Sequence, residues 1–169
     1  MKRLFSIIIL IMAVYVIPVQ AQTEPVQAPE QKPVDFFIAP LAEVLGYSIE
    51  GAALGAGVMI GAGNGVAMGL RIFWAQDAEK INTVEIAGFM RFYLQGKEAS
   101  SGLFAQLTAG ICIFAYEESP ITPAEAGALS IGAAAGWRFP IGKQFYIEPV
   151  IRTGYPYAFG AGVSAGIKL

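Results

Sequence analysis

The segment FGAGVSAGIKL, residues 159–169, carries two kinds of side chain at alternate positions. One set consists of Phe159, Ala161, Val163, Ala165, Ile167 and Leu169, and the other of Gly160, Gly162, Ser164, Gly166 and Lys168. Because successive side chains of a strand point to opposite faces of a sheet, this pattern predicts a strand. One of its faces is apolar, and the other is lined by small or polar groups.

The same two-residue period recurs towards the N-terminus. In residues 66–74, for example, large apolar side chains alternate with small, aromatic or charged ones. Most of these segments are close to the length of about 9–11 residues that a tilted membrane-spanning strand requires. The predicted strands cover residues 34–41, 46–60, 64–75, 81–94, 102–116, 126–139, 144–154 and 158–169.

The composition indicates where the apolar faces lie. The chain is 55% hydrophobic and only 14% charged, so it is more apolar than an ordinary secreted domain. A membrane protein without spanning helices must satisfy its backbone hydrogen bonds in a closed barrel. We therefore expect an all-β fold, namely a closed antiparallel up-and-down transmembrane β-barrel of about eight strands. Side chains just fill the interior of a barrel of this size.

The N-terminal region has the features of an export signal. Lys2 and Arg3 precede an apolar run, and small residues end it at Ala21. We predict a signal peptide at 1–21, a proline-rich periplasmic linker at 22–33 and the barrel at 34–169. An even number of strands places both chain ends on the same side, which would be the periplasmic side of the cell outer membrane.

Two positions disturb the strand pattern, and one segment allows a different local structure. Leu54 breaks the alternation set by Glu50, and Pro149 removes a ladder hydrogen bond from the seventh strand. Both features suggest local bulges. The segment PLAEVLG, residues 40–46, could form a helical turn, so the first two strands are the least well defined.

Glycines dominate residues 51–70 and allow a rival interpretation. Their four-residue spacing resembles that of packed membrane helices. However, the cluster at Gly61–Asn64 predicts a turn in the middle of such a helix, and a second tight turn is predicted at Pro140–Lys143. We favour strands, in which the small inward residues leave room for larger side chains of the lumen.

Charged residues fall on the inward faces. Arg71 and Glu85 would lie directly opposite each other if their hairpin is symmetric about Ala78. We expect a structural network of ion pairs in the lumen, and its alternative is a polar conduit in which the same charges set ion selectivity. The predicted members are Glu50, Arg71, Glu85, Arg91, Arg138, Glu148 and Arg152.

The sequence offers little for catalysis. It contains no histidine and a single cysteine, Cys112, so the usual proton-transfer groups and imidazole metal sites are missing. Catalysis by carboxylates alone, through Glu50, Glu85 or Glu148, is the remaining route. We expect no enzyme, no cofactor and no metal. With a net charge of −2 and no basic block, we also expect no nucleic-acid partner.

The strand rhythm carries a resemblance. Residues 34–169 resemble the small eight-stranded outer-membrane barrels of the OmpA, OmpX and OmpW kind, and FYIEPVIRTGYPYAFGAG is similar to the last hairpin of spirochaete-type barrel proteins. The C-terminal segment resembles the strand that such barrels present to the barrel assembly machinery. This implies an assembly signal at Val163, Ala165, Ile167 and Leu169, although Leu169 stands where phenylalanine is usual.

Three functions follow as hypotheses. The first is a non-enzymatic barrel with a structural, envelope-integrity or surface-interaction role, in contact with outer-membrane lipid and with a surface ligand that the sequence does not identify. The second is a narrow channel for ions or small apolar solutes. The third is a soluble periplasmic lipid-binding barrel, which would turn its apolar residues inward.

Overall fold

The computed structural model describes residues 34–46, 51–78, 81–94, 101–116 and 125–169. The predicted signal peptide, the linker and Glu50 lie outside them. The strands are β1 (Phe36–Gly46), β2 (Ala52–Asn64), β3 (Val66–Asp77), β4 (Ile81–Tyr93), β5 (Gly102–Tyr116), β6 (Glu125–Ile141), β7 (Phe145–Tyr155) and β8 (Phe159–Lys168).

The eight strands form one closed barrel in which each strand pairs with its neighbours in the chain. Closure comes from the antiparallel pairing of β1 with β8, where Phe37 lies opposite Lys168 and Gly46 lies opposite Phe159. Both described chain ends therefore lie at one end of the barrel, which we call the terminal end. The predicted fold class is confirmed.

The alternation of side chains along the strands separates an apolar outer face from an inner face that carries both apolar and charged residues. In β3, Leu70 is 57% exposed, whereas the next residue, Arg71, is 3% exposed. The same order holds in β8, where Val163 faces outward and Ser164 is buried. The period-two pattern of the sequence thus predicted the direction of these side chains correctly.

The boundaries of the first two strands differ from the prediction. β1 continues to Gly46 through the segment that could have formed a helical turn, and its pairing with β2 runs without interruption. Leu54 points outward opposite Val44, so the expected bulge at Leu54 is wrong. β2 extends through Asn64, and the turn lies at Gly65, whose φ of 74° suits glycine.

Two further expectations need correction. The pairing of β6 with β7 keeps one register on both sides of Pro149, with Gly136 opposite Val150 and Phe139 opposite Ile147, so no residue is inserted there. Pro149 points outward instead. The helical interpretation of residues 51–70 is wrong, because β2 and β3 occupy them.

Among the described residues, no helix is long and apolar enough to cross a membrane.

Candidate functional site in the barrel lumen

One group of buried ion pairs, the Glu43–Glu85 cluster, consists of Glu43, Arg71, Glu85, Ser130 and Arg152. Nη1 and Nη2 of Arg71 donate to the two carboxylate oxygens of Glu43 at 2.9 and 2.7 Å. Nη1 and Nη2 of Arg152 donate to Glu85 at 3.0 and 3.1 Å. Two fork-shaped pairs of this kind fix the side chains in both distance and orientation.

Cross contacts join the two pairs of the Glu43–Glu85 cluster. Nε of Arg71 lies 3.6 Å from Oε2 of Glu85, and Nη1 of Arg152 lies 3.4 Å from Oε2 of Glu43. The hydroxyl of Ser130 donates to Glu85 at 2.6 Å. Each carboxylate is therefore shared by two guanidinium groups, which compensates for the removal of all four charges from water.

The second group, the Glu148 cluster, consists of Arg91, Gln106, Arg138, Glu148 and Ser164. Oε1 of Glu148 accepts from Nη1 of Arg91 at 2.7 Å and also from Nε of Arg138. Oε2 accepts from the hydroxyl of Ser164 at 3.0 Å, and Nε of Arg91 donates to Oε1 of Gln106 at 2.9 Å. Glu148 is the only carboxylate of this cluster and serves two arginines.

Aromatic rings surround Arg138 near the terminal end. Its guanidinium carbon lies 3.8 Å from the ring centre of Tyr146, 4.9 Å from that of Phe37 and 5.1 Å from that of Tyr93. Its Nη1 and Nη2 are buried and have no hydrogen-bond partner in the part of the chain that the structure describes. Cation–π contacts with these ring faces therefore stabilise the part of the Arg138 guanidinium group that makes no hydrogen bond.

Glycines make room for the large inward side chains. A Cβ atom at Gly136 would lie 2.5 Å from the Phe104 ring, and one at Gly166 would overlap the ring of Tyr146. In both cases the ring belongs to the residue directly opposite on the neighbouring strand. The small residues therefore admit rings from adjacent strands.

A cavity lies between the two clusters. It offers about 10 Å³ of space to the centre of a water-sized sphere. Its lining includes Glu43, Arg71 and Arg152 of the first cluster and Arg91 and Glu148 of the second. That space is near the minimum for one water molecule, so the charged side chains fill most of this part of the lumen.

The structure brings together six of the seven predicted lumen residues. Arg71, Glu85 and Arg152 lie in one cluster, and Arg91, Arg138 and Glu148 lie in the other. Glu50 falls outside the described residues. Glu43 was not predicted, although it shares the inward positions of β1 with Leu41 and Leu45.

Arg71 and Glu85 do not lie directly opposite each other. Arg71 pairs with Ala87, and Glu85 pairs with Phe73. The carboxylate of Asp77 accepts a hydrogen bond from the backbone N–H of Ile81 at 2.9 Å, which closes the loop between these two residues. The hairpin is therefore centred one residue later than predicted, and the ion pair between Arg71 and Glu85 is diagonal.

Other potentially reactive groups are placed as follows. Within the described residues, no group of three or more His, Cys, Asp or Glu side chains could hold a metal ion. Cys112 is buried and has a free thiol.

The residues of the predicted assembly signal lie on the last strand. Val163, Ala165 and Leu169 lie on the outer face, and Ile167 is half-buried. Their role in assembly stays a prediction.

Solved structures share this architecture. The N-terminal β-barrel domain of Pseudomonas aeruginosa OprF superposes with a TM-score of 0.53 at 13% identity, over 81% of this chain and 100% of that one. Neisserial surface protein A superposes with a TM-score of 0.57 at 8% identity, over 80% of this chain and 96% of that one. No protein-family model and no curated protein sequence matches the chain. The chain has the fold of small eight-stranded outer-membrane barrels.

Proposed function

We propose that the protein resides in a bacterial outer membrane as a non-enzymatic barrel that supports envelope integrity or surface interactions. The observation that carries the proposal is the distribution of side chains between the two faces. Large apolar residues are exposed on strands all around the barrel, including Leu54, Leu70, Leu129 and Ile151. An apolar patch of that extent on a water-soluble monomer would be unusual, whereas lipid covers it in a membrane.

The content of the lumen argues against the soluble lipid-binding alternative. Such a carrier needs an apolar cavity large enough for an acyl chain. Here the lumen contains arginines and glutamates, and the cavity between them provides about 10 Å³. The apolar surface therefore faces outward, and outer-membrane lipid is the partner proposed for it.

Two short turns support an orientation. At the terminal end, the β2–β3 turn is at Gly65 and the β6–β7 turn covers residues 142–144. The two longest connections are equal in length and lie at opposite ends, residues 94–101 at the terminal end and residues 117–124 at the other. Because outer-membrane barrels have short periplasmic turns and longer outer loops, we place both termini in the periplasm, after cleavage of the signal peptide near Ala21. The outer loops would then meet a surface ligand, and the C-terminal strand would engage the barrel assembly machinery.

Cell fractionation tests this proposal. Expressed with its own N-terminus in a Gram-negative host, the protein should sediment with the outer membrane and resist extraction by carbonate. Its unboiled form should also migrate differently from its boiled form on a gel, since a closed barrel resists detergent at room temperature. Recovery in the soluble periplasm without detergent would overturn the proposal.

A narrow channel is the second candidate, because charged groups line the central cavity. Conductance in planar bilayers separates the two functions. We expect the wild-type protein to be silent, since Arg91, Arg138 and Glu148 occupy the lumen. Reproducible single-channel steps of the wild-type protein would favour the channel instead.

A further inference from the structure

Two of the eight strand ladders in the barrel wall are interrupted. The pairing of β1 with β8 skips residues 39–40 of β1 and residues 165–166 of β8. The pairing of β6 with β7 skips residues 137–138 of β6 and residues 148–149 of β7. The other six ladders are continuous between their first and last described pairs. The β7–β8 hairpin, residues 145–168, is therefore the part of the wall that has an interrupted ladder on each side.

A proline explains the interruption between β1 and β8. In an antiparallel strand, the backbone groups of one residue face one neighbouring strand and those of the next residue face the other. The carbonyl of Phe36 accepts a hydrogen bond from the N–H of Leu169, so Phe36 faces β8. Pro40 lies four residues later and faces the same way. Because proline has no N–H, the hydrogen bond that this position would donate to β8 is missing.

A second proline explains the interruption between β6 and β7. The carbonyl of Gln144 accepts a hydrogen bond from the N–H of Lys168, so Gln144 faces β8. Pro149 lies five residues later and faces β6, while its pairing with Val163 of β8 is intact. Both Pro149 and Pro40 point outward, so neither contributes a side chain to the lumen. The hairpin therefore lacks one ladder bond to each of its two neighbouring strands.

Ion pairs of the lumen hold the same hairpin from inside. Glu148 of β7 binds Arg91 of β4 and Arg138 of β6, and Arg138 lies in the interrupted part of β6. Arg152 of β7 donates two hydrogen bonds to Glu85 of β4, at 3.0 and 3.1 Å. These contacts connect the hairpin to β4 across the lumen and to β6 beside it. They act where the backbone connects the hairpin least.

We propose that the β7–β8 hairpin is a movable section of the barrel wall, which separates from β1 and β6 while the other six strands stay paired. Inside a bilayer no water replaces a broken ladder bond, so the section with interrupted ladders opens at the lowest cost. Glu148 and Arg152 keep the hairpin closed. Its displacement opens the filled lumen sideways, between β1 and β6. The movement depends on the contacts of the described strands and not on any of the envelope roles considered above.

Hydrogen exchange of the full mature protein in detergent micelles tests the movement. Mass spectrometry follows the exchange over minutes to hours, the range in which local opening is detected. After correction for intrinsic rates, peptides from residues 145–168 should exchange faster than peptides from β2, β3 and β4. The ladders of these three strands are continuous. Hairpin rates that equal or fall below those of β2, β3 and β4 overturn the proposal.

Three prolines provide matched variants. Pro149→Val and Pro40→Val supply the missing N–H groups, and each should slow the exchange of the hairpin about two- to tenfold, as expected for one hydrogen bond. Pro140→Val is the control, because Pro140 already pairs with Tyr146 in a continuous part of the β6–β7 ladder. Unchanged hairpin rates in the first two variants, or equal slowing in all three, would refute the role of the interruptions.

The ion pairs are tested by a variant that keeps the charge. Arg152→Lys retains one positive charge but cannot form the forked contact with Glu85. It should speed the exchange of residues 145–168 more than that of β2, β3 and β4. A uniform increase in all strands would mean that Arg152 stabilises the barrel as a whole, and would refute its role in holding the hairpin.

Discussion

Arg91 and Glu148 lie 57 residues apart in the chain, yet Nη1 of Arg91 is 2.7 Å from Oε1 of Glu148. They belong to β4 and β7, which are not adjacent in the barrel, so the ion pair crosses the lumen. Both side chains are 1% exposed. The contact joins opposite sides of the wall and makes the lumen side chains part of the structural support of the barrel.

Replacement of Glu148 by glutamine should therefore be severely destabilising. Glu148→Gln keeps the shape of the side chain but leaves the charges of Arg91 and Arg138 without their carboxylate. We expect a loss of about 3–5 kcal/mol in the free energy of unfolding, as for other broken buried pairs. The measurement is urea unfolding in detergent micelles, followed by tryptophan fluorescence.

The control for this change is an ion pair at the rim. Asp35 lies 4.0 Å from Lys168, and both side chains are partly exposed. Asp35→Asn should change the free energy of unfolding by at most about 1 kcal/mol. Equal effects of the two substitutions would show that the Glu148 cluster is hydrated, contrary to our interpretation.

Gly136 should not tolerate a methyl group. A Cβ atom there would lie 2.5 Å from the Phe104 ring and 2.6 Å from the carbonyl oxygen of Pro149. We expect Gly136→Ala to destabilise the barrel by about 1–3 kcal/mol through overpacking. Gly127, on the same strand, has no atom within 4 Å of such a Cβ, and Gly127→Ala should leave the unfolding midpoint unchanged.

The lipid-facing surface predicts a dependence on depth. Ile131 lies in the middle part of β6 and is 62% exposed, whereas Ile141 ends that strand. In lipid vesicles, Ile131→Arg should cost about 2–4 kcal/mol and Ile141→Arg about 0–1 kcal/mol, because the centre of a bilayer solvates a charge poorly. Similar small costs at both positions would indicate that water covers the outer face.

The last residue should matter for assembly in cells more than for stability. Leu169 is 79% exposed, and its backbone N–H donates to the carbonyl of Phe36 at 2.9 Å. Leu169→Asp should lower the fraction of heat-modifiable protein in outer membranes, and Leu169→Phe should preserve or raise it. Refolding into detergent, which bypasses the assembly machinery, should proceed equally for both variants. Parallel losses in cells and in detergent would argue against an assembly signal.

Much of the architecture was predictable because a strand has an invariant period. From β3 to β8, the alternation of side chains identified the outward and inward faces correctly. The same rule would have found Glu43, which lies two residues from both Leu41 and Leu45. The predicted network does not include Glu43, because PLAEVLG also allows a helical turn and the predicted first strand ends at residue 41.

The register of individual hairpins was less predictable. Alternation determines the face of Arg71 and Glu85, but it does not determine which residues are opposite each other. The β3–β4 register depends on the loop, where the Asp77 carboxylate accepts a hydrogen bond from the backbone N–H of Ile81. The sharing of Glu148 between Arg91 and Arg138 could not be predicted from the sequence either. It depends on the curvature of the barrel wall and on side chains from non-adjacent strands.

The pairing of β1 with β8 makes the native state a property of the whole polypeptide. During synthesis, β1 is translated first, and its partner is the last strand to leave the ribosome. Until then the growing sheet has two open edges, which can pair with other chains and aggregate. The pairing of β1 with β8 also slows folding, since the strands between them must be ordered before it forms. We therefore expect the chain to need protection from aggregation until its last strand has been translated.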